Sequence, residues 1–271
     1  MTTDDPRTMV REHYGEMAAG QRSCCGPVKK APEPSAISRQ IGYSEEELKG
    51  VPEGADLGLG CGNPVAIASL KSGDVVLDLG SGAGFDCFLA AAKVGGAGRV
   101  IGVDMTPEML EKARGNAAKG GYANVEFRLG EIEHLPVADG EVDVIISNCV
   151  INLSPDKPQV FREAFRALKV GGRLFVSDMV LLKELPAYLK ESAQAYAGCI
   201  AGASLKGDYL EALGDAGFRD IRVLKETHFS VELTANDLAG TDAEKLLKEN
   251  PQAVREAAGS IVSINVSAQK P

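Results

Sequence analysis

The chain has 271 residues, which at about 150 residues per domain predicts one or two domains. Its 38 acidic residues outnumber the 29 Lys and Arg residues, so no basic surface for nucleic acid is expected. Hydrophobic residues make up 44% of the chain, enough for a sizeable core, and no apolar run approaches the roughly 18 residues of a membrane-spanning helix. The polar N-terminus lacks the apolar region of a secretion signal, which predicts a cytoplasmic protein with neither membrane nor nucleic acid as partner.

The chain has six cysteines and no tryptophan. In the cytoplasm thiols stay reduced, so structural disulfides are not expected. No C-x2-C pair occurs, which argues against a structural zinc site. The six cysteines are therefore predicted to serve thiol chemistry or simple burial: Cys24, Cys25, Cys61, Cys87, Cys149 and Cys199.

Residues 1–70 are rich in Gly and Pro, and only 6–19 and 44–48 have a helical pattern. Ser44 followed by three glutamates is typical of a capping box at the start of the second of these helices. We interpret this region as an irregular N-terminal arm that can fold over a site as a lid.

From residue 73 onwards, strand patterns alternate with helical ones. The predicted strands are 74–79, 99–104, 125–129, 142–147 and 173–182, and the predicted helices are 85–94, 106–119 and 158–168, the last ended by Gly171 and Gly172. This alternation predicts an α/β fold with a doubly wound, mainly parallel sheet covered by helices on both faces.

The last part of the chain is predicted to complete the sheet. A helical insert at 186–203 and a helix at 207–216 precede strands at 219–225 and 260–268, while 228–258 has no clear pattern. The expected organisation is an arm (1–70), a nucleotide-binding core (71–182), and an insert with C-terminal strands (183–271).

A glycine-rich turn joins the first predicted strand to the first helix of the core. Its sequence DLGSGAG (78–84) allows a tight turn and a close approach of a ligand to the backbone. Asp104 ends the next strand, where its carboxylate can accept both hydroxyls of a ribose. Asp78 would repel a phosphate but suits a ligand with a positive amine, so adenosine joined to an amino acid, as in S-adenosylmethionine, fits better than a dinucleotide. The alternative is an ordinary tight turn with a surface Asp.

DLGSGAG followed by GVDMT resembles the nucleotide half of the Rossmann-like class I methyltransferases. The resemblance implies S-adenosylmethionine as methyl donor, with the loop after the third strand packing against its adenine. The residues expected to bind this donor are Asp78, Gly80, Ser81, Gly82, Gly84, Asp104, Met105, Glu131, Ile132 and Asn148.

Three cysteines occupy positions that favour a ligand site. Cys149 follows the fourth strand, and ligands of open parallel sheets bind beyond the carboxyl ends of the strands. Cys61 lies in the glycine-rich turn GCGNP, and Cys199 lies among small residues in GCIAGA. Cys87 lies on an apolar helix, where burial as a small hydrophobic residue is the expected role. Thiolates grouped near a methyl donor favour a soft metal or metalloid.

The segments SNCVINL, GCGNP, DLGSGAGFDC, GVDMT and GCIAGA together resemble the arsenite methyltransferases, from about residue 10 to the end of the chain. This resemblance implies methyl transfer to trivalent arsenic, in arsenic detoxification, with Cys149 and Cys199 as the arsenic-binding pair and Cys61 as a third thiol. It also implies that Cys24 or Cys25 is a redox thiol, that a cysteine pair forms a disulfide by returning two electrons to arsenic, and that glutathione or thioredoxin resets the enzyme.

Two other functions remain open from the sequence. The first is a methyltransferase acting on a small organic acceptor, which does not need Cys149 and Cys199. The second is a non-enzymatic module that binds a metalloid without consuming the methyl donor. A general base is not expected, because His13, His134 and His228 form no recognisable constellation.

Overall fold

The computed structural model describes residues 5–20, 33–184, 202–228 and 259–271. The predicted doubly wound, mainly parallel sheet is confirmed, and its seven strands run in the order β3-β2-β1-β4-β5-β7-β6. Their bounds are Val75–Leu79 (β1), Arg99–Asp104 (β2), Val125–Leu129 (β3), Val142–Asn148 (β4), Leu168–Leu181 (β5), Arg219–His228 (β6) and Ile261–Gln269 (β7).

The first five strands are parallel, and the last two are antiparallel additions at one side. β1 pairs with both β2 and β4, which places the carboxyl ends of these strands together. β7 runs antiparallel to β5 from Arg173 opposite Gln269 to Leu181 opposite Ile261, and β6 pairs antiparallel with β7. As a result, residues from the far C-terminal part of the chain lie beside the centre of the sheet.

The helices among the described residues mostly follow the sequence pattern. They are Pro6–Ala18 (α1), Pro34–Gln40 (α2), Glu45–Lys49 (α3), Pro64–Ile67 (α4), Phe85–Val94 (α5), Pro107–Gly120 (α6), Lys157–Ala167 (α7) and Lys206–Asp215 (α8). The predicted capping box of α3 is present, with Ser44 and Glu47 bonding reciprocally. None of these helices has the length and apolar character needed to cross a membrane.

Two sequence predictions about helices were wrong, and a third lies mostly outside the described residues. The arm also contains α2 and α4, which are too short to show a periodic apolar pattern. α7 ends at Ala167 because Leu168 is already extended, so Gly171 and Gly172 lie within β5 rather than ending the helix. Of the predicted insert helix at 186–203, residues 186–201 lie outside the described residues, and residues 202–203 are not helical.

Apolar side chains cover both faces of the sheet. One buried layer is centred on Phe88 of α5 and Leu110 of α6, and the other on Phe161 of α7 and Tyr209 of α8. Burial of this kind contributes about 25 cal/mol per Å² of apolar surface. Because both faces are closed by helices, the carboxyl ends of the strands are the place where polar groups gather.

Candidate functional site

A glycine turn (residues 80–84) connects β1 to α5. Gly80, Gly82 and Gly84 have φ values of +70°, +50° and +94°, a left-handed conformation that other residues rarely adopt. A Cβ atom on Gly80 would lie 2.4 Å from Cγ2 of Val150, whereas a Cβ on Gly82 would have no atom within 4 Å. The turn therefore packs tightly against the segment after β4 and leaves open space above Gly82.

Asp104, at the end of β2, faces this turn. Its Oδ2 accepts a hydrogen bond from the Gly82 N–H at 2.9 Å, and its Oδ1 accepts one from the Thr106 N–H at 2.8 Å. Burial raises the pKa of Asp104, although these backbone donors oppose the rise. The Thr106 side chain and the Met105 N–H also act on this carboxylate, and its contact with the two hydroxyls of a ribose stays a prediction.

Asp78, at the other side of the turn, is buried and is the second acid of this region. The Cys87 thiol donates to its Oδ2 at 3.2 Å, so Cys87 combines the predicted burial with a polar contact. Burial, and then the neighbouring Asp86, raise the pKa of Asp78 well above its ordinary value. A cationic ligand would offset the cost of this buried acid.

The methyl donor expected from the sequence, S-adenosylmethionine, fits these residues. The Ser81 hydroxyl is buried and has no hydrogen-bond partner in the part of the chain that the structure describes, so it is available to a polar ligand. Together with the open space above Gly82 and the nearby carboxylate of Asp104, it forms a cradle suited to a ribose. The direct contacts of these residues with S-adenosylmethionine stay predictions.

The loop after β3 lies under the N-terminal helix. Glu131 forms an ion pair with Arg7 of α1 at 2.8 Å and lies 3.6 Å from Arg11 of the same helix. Ile132 is buried, and Met105 is partly buried just after β2. The adenine-binding role of Glu131, Ile132 and Met105 remains a prediction, and the structure adds that α1 covers this loop.

Two of the predicted thiols meet at the carboxyl end of β4, beside Ser177 and Asp178 within β5. Cys61 and Cys149 are both buried cysteines. Their sulfur atoms and one carboxylate oxygen of Asp178 all lie within 4.8 Å of one another. We refer to Cys61, Cys149 and Asp178 as the thiol cluster.

The Ser177 carbonyl oxygen on β5 holds both cysteines. It accepts the Cys149 N–H at 2.7 Å and the Cys61 thiol at 3.4 Å. Cys149 has a φ of +58°, an uncommon conformation for a residue with a side chain. Such strain is concentrated at functional sites, where the surrounding structure enforces it.

The Cys61 turn is held in place by Asn148. The Asn148 Oδ1 accepts the Cys61 N–H at 3.0 Å, and its Nδ2 donates to the Gly62 carbonyl at 2.9 Å. A Cβ on Gly60 would lie 2.7 Å from this amide, so the turn needs a glycine there. The amide of Asn148 thus positions the Cys61 turn. Its predicted contact with the methyl donor stays a prediction.

Asn148 also joins a buried hydrogen-bonded network. Its Nδ2 donates to the Tyr43 hydroxyl at 2.8 Å and to Asp86 at 3.2 Å, and the Tyr43 hydroxyl donates to Asp86 at 2.7 Å. Burial raises the pKa of Asp86 to about 6, and burial together with Asp86 raises the pKa of Tyr43. This network ties the arm to α5 and to the end of β4.

The sequence analysis did not single out Asp178, Asn152 or Tyr209. Asp178 is fully buried and accepts hydrogen bonds from the Asn152 amide at 2.8 Å, the Met179 N–H at 3.0 Å and the Tyr209 hydroxyl at 3.1 Å. Burial raises its pKa to about 7. A single acid within the apolar strand sequence LFVSDMVLL was the available signal, because buried charges are rare unless they are paired or functional.

Several predicted residues are placed elsewhere or lie outside the described chain. Cys24, Cys25 and Cys199 fall in segments that the structure does not describe, so their roles stay predictions. His134 and His228 are exposed, and His13 is partly buried on α1, as expected for residues without a catalytic constellation.

Comparisons with known proteins identify the family of this chain. The methyltransferase domain family matches residues 70–217. An arsenite methyltransferase from Halobacterium salinarum is 45% identical over 279 aligned positions, which cover 99% of this chain and 67% of the relative. A mouse arsenite methyltransferase is 34% identical, over 84% of this chain and 62% of the relative.

A solved structure shows the same fold. The crystal structure of an arsenic(III) S-adenosylmethionine methyltransferase from Chlamydomonas reinhardtii matches with a TM-score of 0.63 and 34% identity, over 89% of this chain and 74% of that one. The chain thus spans 62–74% of the length of these three proteins. It belongs to the arsenite methyltransferase family, within the class I S-adenosylmethionine-dependent methyltransferases.

Proposed function

We propose that this chain transfers a methyl group from S-adenosylmethionine to trivalent arsenic held by cysteine thiols. Cys61 and Cys149 are two of the arsenic ligands, Cys199 is the third, and either Cys24 or Cys25 is a redox thiol. The observation that carries the proposal is the meeting of two cysteine side chains, far apart in the sequence, at the end of the strand next to the glycine turn.

Arsenite chemistry fits a pair of protonated thiols. Arsenite is a neutral molecule, As(OH)3, and two thiols replace two of its hydroxyl groups with the release of two water molecules. A third thiol replaces the last hydroxyl with release of a third water, and leaves a lone pair on the open side of arsenic. Thiolates bind such soft centres in preference to oxygen ligands.

Positioning is the main contribution of the chain to methyl transfer. S-adenosylmethionine supplies a methyl group bound to a positively charged sulfur, an electrophile that needs no general base. Val150, directly after Cys149, packs on Gly80 of the glycine turn, so the arsenic ligands are anchored beside the proposed donor site. Orientation of reactants can lower a barrier by about 7–11 kcal/mol.

The reaction also needs two electrons. Methyl transfer to the arsenic lone pair raises arsenic formally to the pentavalent state, and a cysteine pair returns two electrons by forming a disulfide. We propose that this pair comes from Cys24 or Cys25 together with Cys61, with Cys149 as a further candidate. Thiol exchange with glutathione or thioredoxin then restores the reduced protein.

The test is to incubate the reduced full-length chain with arsenite, glutathione and methyl-labelled S-adenosylmethionine, and to separate the arsenic species. We expect labelled methylated arsenic, with no label transferred when arsenite is omitted. Arsenite binding without consumption of the methyl donor would indicate a binding module instead. Transfer of label to an organic acceptor but not to arsenic would indicate a different methyltransferase.

A further inference from the structure

We propose that the thiol cluster also binds a thiophilic divalent cation of the Zn²⁺ type, with Cys61, Cys149 and Asp178 as ligands. Such a cation would occupy the position proposed for arsenic and therefore exclude arsenite. Cation binding itself does not depend on the proposed function, whereas the exclusion of arsenite rests on it.

The three side chains match a cation site in kind and in spacing. Zn²⁺ takes Cys sulfur at about 2.3 Å and carboxylate oxygen at about 2.0–2.2 Å, so neighbouring ligand atoms lie about 3.5–3.8 Å apart. The two sulfur atoms and the Asp178 oxygen already lie within 4.8 Å of one another. Small side-chain movements of about 1 Å would complete three ligand positions and leave the fourth open to water.

Asp178 is oriented by hydrogen bonds, as metal-binding carboxylates usually are. Its Oδ1 accepts hydrogen bonds from Asn152 and from the Met179 N–H, and its Oδ2 accepts one from Tyr209. Partners of this type orient the ligand and are a regular feature of metal sites. Since Oδ2 accepts a single hydrogen bond among the described residues, it keeps a lone pair for a cation.

One buried acceptor beside Asp178 lacks a donor among the described residues. The Asn152 Oδ1 is buried and accepts no hydrogen bond within the described ranges, although the same side chain donates to Asp178. A buried acceptor without a donor is costly. A cation with a bound water would supply the positive charge and the donor hydrogens that this corner lacks.

The cation and arsenite, which are both proposed to bind the thiol cluster, differ in charge. A divalent cation displaces the protons of two thiols and binds the resulting thiolates. The carboxylate of Asp178 is a third negatively charged ligand that attracts the cation. Arsenite exchanges hydroxyl groups for thiols and releases water, with no net change in charge. Asp178 is therefore expected to matter for the cation and to contribute little to arsenite binding.

The experiment uses Co²⁺ as a spectroscopic probe in the reduced, metal-free, full-length chain under anaerobic conditions. The parent variant carries Cys24→Ser, Cys25→Ser and Cys199→Ser, so that other thiols outside the described segments cannot bind the ion. Asp178→Asn, Cys149→Ser and Tyr209→Phe are then added to this parent one at a time. Cys87→Ser serves as the matched control, because Cys87 is a buried thiol outside the cluster.

The parent is expected to bind one Co²⁺ with a thiolate charge-transfer band, and Zn²⁺ should remove this band by displacement. Asp178→Asn should weaken Co²⁺ binding by at least about 10–100-fold, the loss typical even of a partner that only orients a ligand. Tyr209→Phe should weaken it less, Cys149→Ser should abolish the band, and Cys87→Ser should leave it unchanged. Binding of S-adenosylmethionine by each variant reports correct folding.

The proposal is overturned if the folded parent shows no charge-transfer band, or if Asp178→Asn binds Co²⁺ as tightly as the parent. A merely structural role for Asp178 would weaken Co²⁺, arsenite and S-adenosylmethionine binding together, which also contradicts it. Arsenite added to the Co²⁺ complex should remove the band; persistence of the band at saturating arsenite would disprove a shared position. A wild-type chain that binds Co²⁺ in this way but methylates no arsenic would refute the proposed function and leave the cation site standing.

Discussion

The glycine turn and the thiol cluster lie next to each other, but they are assembled differently. The turn and its acidic partners come from one continuous stretch, residues 78–104, in which a strand, a turn, a helix and a strand follow in order. The thiol cluster takes one residue from the arm, one from the end of β4 and one from β5. The first region can be recognised from local sequence, whereas the second exists only after the sheet has formed.

The two regions also use buried acids for different purposes. In both, burial raises the pKa of an acid, Asp78 in one case and Asp178 in the other. Asp78 shares its surroundings with Asp86 and Asp104, so a positively charged ligand relieves repulsion there. Asp178 is instead stabilised by three hydrogen-bond donors from the protein itself. A positively charged ligand would thus relieve repulsion among several acids at the glycine turn, whereas the single acid of the thiol cluster is held in position by donors of the protein.

The largest expected effect is the loss of arsenic methylation when the thiol cluster is changed and the glycine-turn region is not. Cys149→Ser should reduce methylated arsenic to background and abolish tight arsenite binding, because one thiol of the cluster is lost, while S-adenosylmethionine binding stays intact. Arsenic speciation and titration calorimetry with each ligand measure this. Cys87→Ser, the matched buried thiol, should keep its arsenite affinity. Normal methylation by Cys149→Ser would remove Cys149 from the arsenic site.

The contact between the two regions can be broken by a single methyl group. Gly80→Ala should destabilise the fold by about 2–5 kcal/mol, because left-handed strain costs about 1–2 kcal/mol and overpacking against Val150 a further 1–3 kcal/mol. Gly82→Ala has a similar φ but no clash, so only the strain of about 1–2 kcal/mol is expected. Urea unfolding of the two variants measures the difference. Equal losses would show that the packing on Val150 carries no cost.

Asp104→Ala tests the glycine-turn region alone. Loss of hydrogen bonds between a charged group and the methyl donor should weaken S-adenosylmethionine binding by about 1.5–3 kcal/mol, with arsenite binding unchanged. Titration calorimetry gives both affinities, and Asp104→Asn, which keeps one acceptor oxygen, should lose less. An unchanged affinity for the donor in Asp104→Ala would exclude Asp104 from the ribose site.

The smallest expected effect is a pH dependence of donor binding. The pKa of Asp78 is raised above its ordinary value of 3.8, so at acidic pH the carboxyl is neutral and attracts a cationic ligand less. The affinity for S-adenosylmethionine should therefore rise with pH, by at most about tenfold per unit for one group, and level off above the pKa of Asp78.

Calorimetry at several pH values should show that Asp78→Asn loses this dependence. Asp86→Asn is the matched comparison, because the Asp86 carboxylate is engaged by Tyr43 and Asn148. It should retain the rise of affinity with pH, moved to lower pH because Asp86 is one of the causes of the raised pKa of Asp78. A slope that survives in Asp78→Asn would assign the titrating group to another residue.

The local sequence pattern was sufficient to predict much of the fold. The predicted bounds of α5, β2 and β3 match the structure at both ends, because glycines, a Pro or apolar periodicity mark them in the sequence. α2 and α4 were missed because helices of 7 and 4 residues show too few turns for a periodic signal. The end of α7 was misplaced because Leu168 joins the sheet, and that choice depends on β4 rather than on the glycines that follow.

The sequence by itself determined the alternation of strands and helices, the glycine turn with Asp78 and Asp104, and the three motifs that contain Cys61, Cys149 and Cys199. Tertiary structure decided that Cys61 meets Cys149, that Asn148 holds the Cys61 turn, and that Asp178 joins them. The physical reason is that the turn is governed by backbone conformation within a few residues. The thiol cluster depends on which strands become neighbours and on hydrogen bonds between distant segments, and neither has a local signature.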